Sequence, residues 1–562
     1  MTNLKYFILN LVLINLIAIS FGFSQTPIYI SDKVIGGNAQ EAYGQLIKID
    51  SEKFMLFGRT NSENSGNIID SVCHGLNGGP YNDILISSID TGFNIKWNFN
   101  CGGNHIESTC FPYFYGNGKI IFCSQSRSDS SCEKTSNTKK HSFTNNDYDF
   151  WLCMIDTGGV FIWDKDIGSL NEDFDPIVTR LTDDNILICG NSSYGVSGDK
   201  SEFGSGPSDF WVIKLDSLGN KIWDHCYGGA GSEYYIAPPG RPYAYDIVPI
   251  ADGGFILSGT TNSPQGGMIS EIPRGNTDIW IVAIDSAGNV QWEHRFGGNV
   301  NNWVHSILIN QQGILIGGQT DSPQGLDVSD PSLGGKDVWL IQTDFNGNKL
   351  WDKRYGGSLD EYPVKITPLI NNKFLISCTT KSNQGFDISE PTYGGNDYWV
   401  FEIDSAGNKL WDKRFGGPAD DFLQSIISIS DSLFILGGDA LPGTSVVKTD
   451  SGYGVSDFWL VKFKISDTVT VVNDLSENLE TVHLSPNPAV DIITLTVAHP
   501  LVQNTSIVIY DISGRVVYKQ KFEKNAKRLE IDISSLVNGS YCIKLTDRSN
   551  TKSLKFVKLN SG

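Results

Sequence analysis

Ile279-Trp280-Ile281-Val282-Ala283-Ile284-Asp285, the turn Ser286-Ala287-Gly288-Asn289, and a run closing on Trp292-Glu293-His294-Arg295-Phe296-Gly297-Gly298 decide the fold of this chain. Two runs rich in β-branched and aromatic residues flank a tight turn, which is the pattern of a β-hairpin. A second pair belongs to the same unit: an alternating run from Ala244 to Ile250, the turn Asp252-Gly253-Gly254, then Phe255-Ile256-Leu257-Ser258-Gly259. Four strands make one unit.

Outward from this copy the unit recurs. The Asp-x-Trp that opens the hairpin stands at Asp149/Trp151, Asp209/Trp211, Asp278/Trp280, Asp337/Trp339, Asp397/Trp399 and Asp457/Trp459, with Asp83-Ile84-Leu85 a degenerate copy. Successive steps are 66, 60, 69, 59, 60 and 60 residues, a fixed period with insertions and so a repeat architecture. Four strands per unit and seven units predict an all-β fold: a seven-bladed β-propeller over residues 25 to 466. The hairpin tryptophan occurs only six times, at Trp97, Trp163, Trp223, Trp292, Trp351 and Trp411. Ile28 to Ile35, before Gly36-Gly37, is a strand without its hairpin partner, and Asp457 to Lys462 is a strand without its successor. Pairing these two ends closes the ring and removes its exposed edge.

Composition agrees. Of 562 residues, 40% are hydrophobic and 19% charged, with 59 Gly, 13 Trp, 21 Tyr and 29 Phe. Asp and Glu number 63 against 43 Lys and Arg, a net charge of −20 that repels nucleic acid and anionic membranes. Lys5, the apolar run from Phe7 to Phe21 and the small residues near Ser24 read as a signal peptide over residues 1 to 24, with a mature start near Gln25 and no transmembrane span thereafter. Of the ten cysteines, Cys123, Cys153, Cys189 and Cys378 fall in strand-like runs as small hydrophobes; Cys73, Cys101, Cys110 and Cys132 form the expected disulfide pool. No pair has the spacing of a zinc site.

The unit pattern of D-x-W, G-N-x-x-W and F-G-G resembles the bacterial β-propeller repeats of exported proteins. Residues 283 to 292 also resemble the repeat of quinone-dependent dehydrogenase propellers, but seven units and the lack of an adjacent cysteine pair depart from those enzymes.

If the N-terminal strand is outermost, the inter-blade loops share a face with the long loops Thr261 to Thr277, Thr320 to Lys336 and Thr380 to Asn396, where binding is expected. On the inter-blade loops stands a column of Glu41, Glu107, Asp173, Glu233, Asn302, Glu361 and Asp421. Convergent oxygens there would form a ligand-binding acidic ring attracting cations or hydroxyl-rich molecules; alternatively each acid bonds the backbone of its own turn and stitches adjacent blades. Asp327, Asp330, Asp387 and Glu390 in the long loops are candidate calcium ligands, although the spacing lacks a recognised calcium loop. Eight His with no recurring Ser or Cys partner, and no phosphate-binding loop, leave no catalytic constellation; a carboxylate pair for glycoside hydrolysis stays open.

Residues 467 to 483 read as a polar linker, and residues 484 to 562 as a small β-sandwich. Ser485-Pro486-Asn487-Pro488, Tyr510-Asp511 with Gly514-Arg515, and Asn538-Gly539 with Tyr541 resemble, in that order, the type A C-terminal sorting domain of the type IX secretion system. The resemblance implies handling by that machinery and a secreted or outer-surface location reached through the periplasm. The function expected is an extracellular binding or adhesion propeller for a glycan or protein ligand, with a hydrolytic propeller or a structural surface protein as the alternatives.

Overall fold

The computed structural model describes residues 25–62, 64–69, 82–138, 148–233, 245–467, 482–485, 489–497, 506–510, 516–521, 528–547 and 550–558. The predicted signal peptide and most of the predicted linker lie outside these residues. The described chain is all-β, and residues Pro27–Ser466 form one compact unit, separate from the unit that contains the C-terminal strands.

That larger unit holds seven four-stranded antiparallel sheets, met in chain order at residues 41–101, 107–167, 173–227, 245–296, 302–355, 361–415 and 421–467. The seventh recruits Gln25–Ile35 as its fourth strand, beside Asp457–Asp467. The first strand of each sheet lies against the first strand of the next, and Asp421–Ser430 lies against Glu41–Lys48, so the succession returns to its start.

The sequence pattern explains the packing. Third strands such as Asp337–Thr343 and Asp397–Ile403 are buried at every position because both faces meet neighbouring sheets, which is why they read as continuous apolar runs. Fourth strands such as Lys349–Tyr355 expose their first residues and read as amphipathic. Leu315, Val338 and Leu340 of the fifth sheet share one core with Ile376, Trp399 and Phe401 of the sixth. The hairpin turn is fixed locally: Asp285 Oδ1 accepts the amides of Ala287 and Asn289, both at 2.9 Å, and Gly288 takes a φ of 93° that a side chain would resist.

Trp151, Trp211, Trp280, Trp339, Trp399 and Trp459 are fully buried, so each indole N–H needs an acceptor. Trp339 Nε1 donates to Asp352 at 2.9 Å, and the others donate to Asp164, Asp224, Glu293, Asp412 and Asp32 at 2.8–3.1 Å. Asp32 belongs to the N-terminal strand and serves Trp459 of the last sheet. It also accepts the Thr449 amide at 2.8 Å and hydroxyl at 2.7 Å.

Cys101 and Cys110, expected in the disulfide pool, are free thiols buried in the apolar core shared by the first two sheets. Cys132 is disulfide-bonded, and Cys73 lies outside the described residues. Cys123, Cys153, Cys189 and Cys378 are buried and free.

The C-terminal unit comprises a three-stranded sheet of Val482–Ser485, Ile492–Val497 and Arg528–Asp532 and a four-stranded sheet of Val516–Lys521, Ser506–Tyr510, Gly539–Asp547 and Asn550–Lys558. Ile493, Leu495 and Ile531 of the first share a core with Ile507, Ile509, Ile543 and Phe556 of the second. Among the described residues, no helix is long and apolar enough to cross a membrane.

Candidate functional site

Six residues of the acidic column open the first strands of their sheets, Glu233 stands twelve residues before Tyr245–Pro249, and all seven are fully buried. Glu361 Oε1 accepts the Thr380 hydroxyl at 2.7 Å and Oε2 the Gly357 amide at 2.8 Å. Glu41 repeats this with Thr60 and Gly37, and Glu107 with Ser126 and Gly103. Asp173 and Asp421 accept amides four residues back at 2.5 Å, and Glu233 takes the hydroxyls of Thr261 and Ser263. Asn302 accepts from Thr320 through Oδ1 at 2.7 Å and donates through Nδ2 to the Thr277 carbonyl at 3.1 Å. Each member of the expected ligand ring is thus engaged by hydrogen bonds within the protein, some to its own turn and some to the neighbouring strand or loop.

The column approaches the Asp of Asp-x-Trp across the first glycine of each pair. A Cβ on Gly356 would lie 2.4 Å from Glu361 Oε2 and 2.7 Å from Asp337 Oδ1, so only glycine fits. Burial pushes Glu361 and Glu107 up to about 7, with Asp337 adding to the rise at Glu361; burial likewise raises Asp173 and Asp421 to about 6. Buried cations offset the remaining charge. Arg354 bridges Asp337 at 3.1 Å, Arg295 and Arg414 occupy the equivalent places, and Lys448 bonds Asp421 at 2.8 Å.

The long-loop acids are also internal staples. Asp327 accepts the Gly297 amide and Arg274 Nε, both at 3.1 Å, whereas Asp330 accepts the Arg354 amide at 3.0 Å. Asp387 accepts the Gly356 amide at 3.2 Å, and Glu390 the Arg414 amide at 3.0 Å and Lys413 Nζ at 2.6 Å. Their oxygens are taken up by separate backbone and side-chain donors of the protein itself. Among the described residues no group of three or more His, Cys, Asp or Glu could hold a metal.

A different set of charged and aromatic groups stands at strand ends, one part in the first and second sheets and the other in the fifth and sixth. Arg59, paired in register with Ala42, holds its guanidinium carbon 5.0 Å over the Tyr43 ring. Arg127 lies 3.8 Å over Tyr148, and Lys336 Nζ lies 4.5 Å over Trp303 and 5.9 Å over Tyr362. Burial raises the Tyr148 phenol, Arg127 and Arg59 pull it down, and Glu172 and Asp175 push it up, so both guanidinium groups and two carboxylates act on one ring. Tyr43 is held at a φ of 61°, its amide bonded to Asp439 Oδ2 at 3.0 Å. Sequence reading missed this set because its cations occupy unlike repeat positions. A faint signal existed: the residue after the column is aromatic at Phe174, Trp303, Tyr362 and Phe422.

In the C-terminal unit, Ser485 and Tyr510 end their strands, Asn538 is exposed, and Tyr541 is buried against Phe556 with its hydroxyl donating to the Val537 carbonyl at 2.6 Å. Gly539 takes a φ of 157°. Pro486, Asn487, Pro488, Asp511, Gly514 and Arg515 lie outside the described residues.

No curated protein matches the chain. Among solved structures, a protein of unknown function from Dyadobacter fermentans DSM 18053 is 10% identical, with a TM-score of 0.39 over 78% of this chain and 99% of that one. The Neurospora crassa Pan2 WD40 domain is 9% identical, with a TM-score of 0.40 over 79% of this chain and 97% of that one. Residues 483–559 match the family of secretion system C-terminal sorting domains. That domain marks the protein for export through the type IX secretion system to the cell surface or beyond.

Proposed function

We propose that the protein is a seven-bladed β-propeller, closed by its N-terminal strand, that binds a ligand outside the cell after removal of a signal peptide over residues 1 to 24 and export directed by a β-sandwich tag. The observation carrying the binding reading is the contrast between two sets of charged groups. The acids of the column and the long loops are engaged by the protein's own donors. The cations stacked on aromatic rings beside the first strands make no direct ion pair among the described residues, Arg59 acting on Asp439 only through space. Rigid strands presenting aromatic faces and open donors suit recognition rather than proton transfer.

Glycan-array binding and polysaccharide turnover, measured on the full mature protein, test the proposal together. Binding without turnover supports it. Turnover abolished by an Asp or Glu substitution overturns the binding-only reading, and absence of any ligand across the array leaves a structural surface protein.

A further inference from the structure

Among the described residues three cations beside the first strands make no direct ion pair, although Arg59 acts through space on buried Asp439 and partly offsets the rise that burial imposes on its carboxyl. Among the described residues Arg59, Arg127 and Lys336 form no ion pair, and no hydrogen bond is made by either guanidinium group or by the Lys336 ammonium; Arg127 Nε is buried without an acceptor. Elsewhere in the same unit several buried cations are paired directly: Arg354 with Asp337, Arg414 with Asp397, Lys448 with Asp421, Lys134 with Asp166. A half-buried guanidinium without an acceptor is costly in a chain of net charge −20, where carboxylates are plentiful. Its stacking ring covers one face and leaves the N–H edge open, the edge that grips a carboxylate in bidentate fashion.

We infer that this end of the inner strands binds the terminal carboxylated sugar of an oligosaccharide, Arg59 and Arg127 taking the carboxylate and neighbouring aromatic rings taking the sugar faces. The inference rests on the proposed binding function and names its ligand class. Three features select that class. The open guanidinium edges require an anion. The half-buried rings of Tyr43, Tyr148 and Tyr362 offer flat apolar surface to the C–H faces of a pyranose. The net charge disfavours a polyanion but tolerates one carboxylate delivered to a local cationic pair.

Calorimetry on the full mature protein would compare oligosaccharides with and without carboxylate: cellobiouronic acid (one) with cellobiose (none), digalacturonate (two) with galactobiose (none), and sialyllactose (one) with lactose (none). At least one acidic member should bind tenfold or more tightly than its neutral counterpart, and more weakly as salt rises. Arg59→Gln with Arg127→Gln should remove that preference while leaving the melting temperature within a few degrees. Should the double variant fail to fold, each single arginine variant should still reduce the ratio. Equal binding of acidic and neutral members, or a preference that survives the arginine substitutions, overturns the inference but leaves the binding function standing. Binding of none of the six at 10 mM overturns the inference; a ligand of another class on the array would still uphold the binding function, and its absence would remove both.

Discussion

Replacing Glu361 by Gln should flatten the pH dependence of stability. Glu361 is fully buried and its carboxyl is raised from 4.5 to about 7, first by burial and then by Asp337. Between those two values the folded protein holds a proton that the unfolded chain has released, so stability falls as pH rises through this window and levels off above it. A rise of that size at about 1.4 kcal/mol per unit makes the folded state about 3 kcal/mol less stable at pH 8 than at pH 4.5 through this residue alone. Gln cannot ionise, keeps an acceptor for Thr380, and forfeits the Gly357 bond at a pH-independent cost of about 1 kcal/mol. The molecule already carries an amide in this column at Asn302. All 13 tryptophans precede residue 467, so urea unfolding followed by their fluorescence reports this unit. Between pH 5 and pH 8 the parent protein should lose roughly 2 to 3 kcal/mol more than E361Q, the other raised carboxyls cancelling in the comparison. Equal losses would refute the raised carboxyl and with it the view of the column as protonated stitches.

Asp32→Ala removes the acceptor of Trp459 and both Thr449 bonds, and should lower stability by about 2 to 4 kcal/mol in the same urea assay. Deleting residues 28 to 35 should abolish cooperative melting of the whole unit. Arg354→Met strands Asp337 in the interior and should cost about 3 to 5 kcal/mol at pH 8, less at pH 5 where burial already favours the protonated Asp337. Truncation before residue 484 should leave the protein in the periplasm, read by blotting of fractionated cells and culture medium.

The sequence carries the sheets more openly than the site. A period near 60 residues and a missing sixfold-repeated tryptophan were enough to bring residues 28 to 35 to the last sheet, because hairpin chemistry is local and its repetition multiplies the signal. Depth was not legible. Glu361 and Asp327 look alike on paper to surface acids, and only the fold puts Thr380 and Gly357 against one and Gly297 against the other. Arg59 and Arg127 escaped notice for the converse reason: they stand one residue before and one after equivalent positions, so periodicity hid what three dimensions bring to a common tyrosine.

The bond from Trp459 to Asp32 spans 427 residues, and it sets an order on biogenesis. The first strand emerges from the ribosome hundreds of residues before its partner exists, and its closing contact carries a loop-closure cost unlike that of any hairpin within a sheet. A chain cut short anywhere before residue 457 therefore lacks both the clasp that completes its last sheet and the sorting domain that follows. Incomplete products are left without a passport as well as without a complete last sheet, so release to the outside is coupled to having synthesised all seven sheets.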